Sequence, residues 1–207
     1  MDAVLPVIII LLAFLLGSCP FSVWIGRAFL HTDIREYGDG NPGSMNVFRT
    51  GRVIWGIIAM LADILKGMPA IFIASLLFSL PQPVLYLAAL AAIIGHAYSP
   101  FLGFKGGKAL AVFGGTLIAL SQWDMLVLLA VLLIIGAMLF INDAWTVLIS
   151  IAGTFIYLLL IRAGIWEFSY IGGVTLIFVL KQRPFLKEVQ FPQGRLMGWI
   201  RSRKKVA

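Results

Sequence analysis

Two short polar stretches of this chain concentrate the side chains able to do chemistry. The first reads Asp33-Ile34-Arg35-Glu36-Tyr37-Gly38-Asp39-Gly40-Asn41-Pro42-Gly43-Ser44-Met45-Asn46-Val47-Phe48-Arg49. Glycines at 38, 40 and 43 let successive backbone amides turn inward as an anion-binding nest, to which the Arg49 guanidinium can add a bidentate charged contact. Phosphate or carboxylate is the guest such a loop fits. Its core matches G-x-G-x-x-G in form, but a dinucleotide fold requires a strand before it and a βαβ unit around it. Apolar runs flank this loop on both sides, and that reading is rejected. An ordinary flexible loop of the same composition is the competing reading.

The second stretch reads Gly95-His96-Ala97-Tyr98-Ser99-Pro100-Phe101-Leu102-Gly103-Phe104-Lys105-Gly106-Gly107-Lys108. Lys105 and Lys108 around Gly106 and Gly107, entering a helical segment, make a compact cationic site where a helix start favours anions. It is not a Walker A loop, because Leu102 stands where the first glycine would be and Ala109 follows Lys108, so ATP binding is not indicated. The positive-inside rule also accounts for lysines at such a place, and a lone His96 at a span end reads first as a structural residue. Asp63 and Lys66, three apart inside an apolar run, share a helix face and read as a mutual structural pair bracing the first loop.

These loops must be positioned by elements that live in lipid. Of 207 residues, 61% are hydrophobic and 12% charged, a balance far more apolar than in soluble domains. Apolar runs predict helices over about Leu5–Leu30, bent at Gly17, Ser18 and Pro20, then Val53–Leu80, Val84–Ile94, Ala109–Leu120, Met125–Ile141, Ala144–Ile161 and Ile165–Leu180. Asn142 and Asp143 alone join the fifth and sixth, forcing an antiparallel hairpin. The expected fold is all-α: a polytopic membrane protein of about seven transmembrane helices with two cytoplasmic glycine-rich loops. Residues 1–183 are expected to form one transmembrane domain and 184–207 a basic tail. Asp2 and the lack of a basic n-region mark the first run as a retained span, not a cleaved signal peptide. Cys19, the single cysteine, excludes an intrachain disulfide framework and a cysteine zinc site.

The net charge of +7 does not indicate nucleic acid, since the basic residues lie between and after apolar runs. With seven spans, Arg27, Arg35, Arg49, Arg52, Lys105, Lys108 and eight basic residues from Lys181 onward fall on one side, against Arg162 alone on the other. Both loops and the C-terminus are therefore expected in the cytoplasm and the N-terminus outside. Arg195, Arg201, Arg203, Lys204 and Lys205 read as a contact with anionic membrane lipids. No inverted repeat is present, and the last three segments carry almost no ionisable residues, which argues against a transporter.

At its two loops the sequence resembles the bacterial PlsY family, membrane acyl-phosphate:glycerol-3-phosphate acyltransferases of phospholipid synthesis. Gly38, Gly40, Asn41, Gly43, Asn46 and Arg49 match that family's first motif, and Gly95, His96, Phe104, Lys105, Gly106, Gly107 and Lys108 its second; Asp63-Ile64-Leu65-Lys66-Gly67 belongs to the same likeness. The resemblance implies a seven-helix inner-membrane enzyme with no metal or cofactor. It would move the acyl group of a fatty acyl-phosphate to the sn-1 hydroxyl of glycerol 3-phosphate. The glycine-rich loop would then be a phosphate hole, with Arg49 and Lys108 binding the anionic substrates. Three departures stand out. Asp39 occupies the place of a serine, Ser44 and Met45 stand where alanine and threonine are usual, and the third motif, His-Arg-x-Asn, is replaced by Lys181-Gln182-Arg183-Pro184-Phe185. The candidate catalytic residues are Arg49, Lys108 and Asp39. Gly38, Gly40, Asn41, Gly43, Ser44, Asn46, Lys105, Gly106, Gly107 and His96 are the candidate substrate contacts. The alternative is a non-catalytic relative that binds phosphorylated lipid intermediates or regulates an active partner. Oligomeric state leaves no signal in the sequence.

Overall fold

The structure, a computed structural model, describes residues 4–139, 143–161 and 164–186, and within them all regular structure is helical. Each expected apolar segment contains helix among its described residues. The first divides into α1 (Val4–Ser18) and α2 (Phe21–Phe29). The polar loop after it contains a 3-10 turn (Ile34–Glu36) and a short helix, α3 (Ser44–Arg49). The second segment divides into α4 (Val53–Leu65), α5 (Pro69–Phe72) and a π-helical turn (Ile73–Leu77). Then come α6 (Gln82–Ala97), α7 (Leu110–Ala119), α8 (Trp123–Leu139), α9 (Asp143–Ile161) and α10 (Ile165–Gln182). Among the described residues, Val4–Phe29, Val53–Leu77, Gln82–Leu102 and Ala144–Ile161 are long and apolar enough to cross a membrane; Leu110–Ala119 and Trp123–Met138 are shorter apolar helices. Asn142 of the hairpin, Arg162 and the tail basic residues Arg195, Arg201, Arg203, Lys204 and Lys205 lie outside the described residues.

The described chain forms two compact units, one ending at Gln122 and the other beginning at Trp123. In the first, α1 lies against α6 so closely that a Cβ on Gly17 would enter the backbone of Ala92, and one on Gly95 the backbone of Phe14. Lipid offers helices no hydrophobic incentive to associate, and small residues that let backbones approach supply the packing instead. α4 meets α7 in the same way, with Gly115 against the Ile64 backbone. In the second unit α8 pairs with α9, where Gly136 faces Thr146, and the Tyr157 hydroxyl donates to Asp124 Oδ2 at 2.6 Å.

The break between α1 and α2 follows from Pro20, which has no amide to donate and crowds the carbonyl four residues earlier. A backbone interruption at this depth needs internal partners. Lys66 Nζ donates to the Cys19 carbonyl at 2.7 Å and pairs with Asp63 Oδ1 at 2.7 Å, while Ser22 Oγ donates to Asp63 Oδ2 at 2.6 Å. Both charged side chains are 2% exposed. The expected pair thus forms, but what it braces is the break in the first segment, with Ser22 as a third member. Removing one charge strands the other in an apolar interior. Asp63→Ala is expected to destabilise the protein by roughly 3–5 kcal/mol, and Asp63→Leu with Lys66→Met by clearly less; unfolding in a mild detergent compares them.

Candidate functional site

The first loop is folded by its own polar groups. Buried Asn46, on α3, donates from Nδ2 to the Asn41 carbonyl at 2.9 Å and accepts on Oδ1 from Arg49 Nη1 at 2.8 Å. Arg49 is thereby turned back over the loop, where Nη1 also reaches Asp39 Oδ1 at 3.1 Å. The space beneath the guanidinium exists only because residue 38 is glycine. Its φ is +57°, and a Cβ there would collide with Arg49 and with Asn46 Oδ1. Gly40 also has positive φ, its amide donating to the Tyr37 carbonyl at 3.0 Å. Gly43 ends the turn as the residue before α3, whose first residue is Ser44.

The second loop is tied to the end of α6. The Gly107 amide donates to the His96 carbonyl at 3.0 Å, and Gly107 lies so close to the buried His96 imidazole that a Cβ would strike Nε2. Gly106 passes equally close to the His96 and Ala97 backbone. This fixes the direction of Lys108, whose Nζ lies 2.8 Å from Asp39 Oδ2. The two loops therefore meet at one carboxylate. Asp39 holds Arg49 on one oxygen and Lys108 on the other, and its Oδ1 also accepts from the Asn41 amide at 3.3 Å. Lys105 is exposed and stands outside these ion pairs.

Of the two arginines near Asp39 in the chain, Arg49 pairs with it and Arg35 does not: Arg35 Nη2 is 2.6 Å from Asp33 Oδ2, a carboxylate that Arg27 also reaches at 3.0 Å. The Arg35 hydrogen bond holds the Asp33 carboxyl far below the usual carboxylate range despite its partial desolvation. The expected nest needs correction in detail: its amides are not all turned toward a guest, since those of Gly40 and Asn41 are taken by Tyr37 and by Asp39 itself. Burial works against charge on Asp39, yet the hydrogen bond and charge of Lys108, the Asn41 amide and the charge of Arg49 outweigh it and keep its carboxyl below the ordinary value.

One polar group escaped the sequence reading. Gln182, in the segment standing in for the third motif, is 0% exposed, and neither of its side-chain amide atoms has a hydrogen-bond partner among the described residues. Buried amides are rarely left so. The signal available was an amide, able both to donate and accept, immediately before Arg183 where the motif has histidine before arginine.

Residues 7–189 match the family described as Glycerol-3-phosphate acyltransferase. A protein of that name from Lactiplantibacillus plantarum is 42% identical over 129 residues, 62% of each chain. One from Thiobacillus denitrificans is 44% identical over 59% of this chain and 63% of its own. The chain thus spans about three fifths of the length of these two relatives. The relative from Laribacter hongkongensis is 34% identical over 83% of this chain and 84% of its own. A crystal structure of PlsY, an integral membrane glycerol 3-phosphate acyltransferase in its glycerol 3-phosphate form, superposes with a TM-score of 0.79 at 25% identity, covering 88% of this chain and 90% of that one. Its lysophosphatidic acid form gives 0.76. With its all-helical membrane architecture and both polar loops inside the matched region, the chain belongs to the glycerol-3-phosphate acyltransferase family.

Proposed function

We propose that this protein transfers a fatty acyl group from an acyl-phosphate to the sn-1 hydroxyl of glycerol 3-phosphate, releasing lysophosphatidic acid and phosphate for phospholipid synthesis. The observation that carries this reading is the Asp39 carboxylate lying between Arg49 and Lys108. Two cations from separate loops converge on a small oxyanion, which is the arrangement a substrate phosphate needs. The family supplies the reaction class, and its relatives bear the name of that activity.

In the reaction, the glycerol hydroxyl oxygen forms a bond to the acyl carbon and the bond from that carbon to the phosphate oxygen breaks. The electron pair departs on phosphate, and the hydroxyl proton passes to the released phosphate or to water. Arg49 and Lys108 would stabilise charge growing on the departing phosphate, an electrostatic role that is strongest for donors already fixed in place. Asn41 and Asn46 fix the first loop and Gly106, Gly107 and His96 the second. Gly38, Gly40 and Gly43 shape the floor of the site, while Ser44 and the exposed Lys105 are further contacts for the acceptor's phosphate. Holding the hydroxyl beside the acyl carbon supplies much of the remaining acceleration. Asp39 takes part as the resident anion. A substrate phosphate must displace it or share the two cations with it.

The protein would sit in a bacterial inner membrane, crossing about seven times, with its N-terminus outside and the site and C-terminus in the cytoplasm. The one-sided distribution of lysine and arginine supports this orientation.

Reconstituted protein given acyl-phosphate and glycerol 3-phosphate is expected to yield lysophosphatidic acid identified by mass; no acylated product from any phosphorylated polyol would refute the proposal. Arg49→Ala and Lys108→Ala should each lower turnover by roughly 10²–10³-fold, as loss of one preorganised donor does. Asp39→Asn, which keeps the shape and removes the charge, is expected to lower KM for acyl-phosphate by roughly tenfold, the equivalent of about 1.4 kcal/mol. A rise in KM would instead make Asp39 an organiser of the cations. Because its folded pKa is depressed, Asp39 contributes stability that is present above the unfolded carboxyl value, about 3.9, and is lost as pH falls through the folded value. The difference between melting curves of wild type and Asp39→Asn should therefore hold above about pH 4 and begin to shrink only below it.

A further inference from the structure

A second concave site lies in the first unit, apart from the Asp39 cluster. It is a cavity of about 350 Å³ whose lining includes Phe29, His31, Thr32, Tyr37, Arg52 and Trp55. Its position is set by the spans, since Val4–Phe29 ends at one wall and Val53–Leu77 begins at the other. It therefore opens at the level where hydrocarbon gives way to headgroups.

Its chemistry has two halves. The Phe29 and Trp55 rings are stacked at 4.2 Å with planes 16° apart, a flat wall of the kind enriched at membrane interfaces. Phe29 itself and the apolar residues just before Trp55 at the start of α4, Val53 and Ile54, are 56%, 60% and 72% exposed in the protein alone, apolar surface that a bilayer would cover. The other half is polar. Arg52 and His31 are both exposed, and neither is paired with a carboxylate among the described residues. Of the nearby acids, Asp33 is committed to Arg27 and Arg35 and Asp39 to Arg49 and Lys108, while the exposed Glu36 lies in the field of Arg35. His31 is held at φ +53°, a strained conformation for a residue other than glycine. Thr32 Oγ1 and the Tyr37 hydroxyl, 3.5 Å apart, add hydroxyls to the rim.

A guanidinium and an imidazole without carboxylate partners, hydroxyls at the rim, an aromatic wall and an apolar track leading into lipid fit one kind of occupant. We infer that this cavity is a binding site for the phosphate headgroup of an anionic phospholipid from the surrounding bilayer, its chains lying along the lipid-facing side of α2 and α4. A small free anion would use the cations and leave the aromatic wall and the track unused. The site shares no charged residue with the Asp39 cluster, and it stands or falls separately from the acyl-transfer reading.

The test is retention of lipid by the full-length protein in a neutral detergent, read by native mass spectrometry without turnover. One dioleoylphosphatidylglycerol is expected to remain bound, and dioleoylphosphatidylcholine not. The double variant Arg52→Gln, His31→Gln should lower phosphatidylglycerol retention at least tenfold with an unchanged melting temperature, both side chains being exposed. A second readout is Trp55 emission, taken as the difference between wild type and Trp55→Phe, which should shift to the blue on adding phosphatidylglycerol. Equal retention by the double variant, equal retention of phosphatidylcholine, or no spectral shift would overturn the assignment. Displacement of the lipid by millimolar inorganic phosphate would overturn it too, by making free phosphate the ligand.

Discussion

Asp39 is where two loops, widely separated in sequence, are joined by charge. Arg49 and Lys108 carry like charges, and bringing both to one small volume is unfavourable without an anion between them. The carboxylate supplies that anion with one oxygen for each cation. The residues around it serve this contact. Asn46 aims the guanidinium, Gly38 leaves room beneath it, and Asn41 adds an amide to the oxygen Arg49 shares. On the other side, Gly107 lies against His96 so that Lys108 leaves the loop in the right direction. A larger residue at 107 would strike the His96 ring and one at 38 the Arg49 guanidinium itself, and either would push the loops apart.

The loops in turn depend on a polar knot inside the bundle. Pro20 interrupts the first segment, and the carbonyl of Cys19 is satisfied there by Lys66. That ammonium is tolerable only because Asp63 neutralises it, and Asp63 is in turn satisfied by the hydroxyl proton that Ser22 donates to it. The knot joins α2 to the end of α4, and α2 leads directly into the first loop. Ser99 makes a related tie, donating to the Ser18 carbonyl at 2.6 Å between the end of α1 and the second loop. Both loops are therefore referred to the same interruption in the first segment. A continuous first helix would offer neither carbonyl.

Much of this was legible in the sequence, for reasons that differ by element. Hydrophobic length located the helices, because lipid permits little else, and Pro20 announced the break. The spacing of Asp63 and Lys66 announced their pairing. What could not be read were partners chosen by tertiary structure. Arg35 and Arg49 are equally plausible mates for Asp39 along the chain, yet Arg35 is captured by Asp33 and Lys108 arrives from a remote loop. Ser22 looks like any small residue of an apolar helix until Asp63 is set beside it. The π-helical turn at Ile73–Leu77 has no local marker among its Ile, Ala, Ser and Leu residues. α3 was hidden because six residues between glycines and a Thr-Gly step read as loop, and its stability comes from packing on α4, with Phe48 pressed against Gly56.

Asp39 sets the electrostatic character of the site. Two cations alone would present a charge of about +2 to an incoming phosphate; with the carboxylate between them the sum is about +1. A neutral residue at 39 would leave the cations to repel one another until substrate arrives, whereas Asp39 keeps them assembled in advance. In the proposed reaction the same contact must then be weakened before phosphate can occupy it. Preorganisation and competition are thus properties of one carboxylate. Since Lys108, Asn41 and Arg49 all favour its ionised form, protonation near neutral pH does not relieve the competition. On the proposed function the phosphate must do so itself, by offering more oxygens to Arg49 and Lys108 than the carboxylate can, which a phosphoryl group with three terminal oxygens does and a second carboxylate would not.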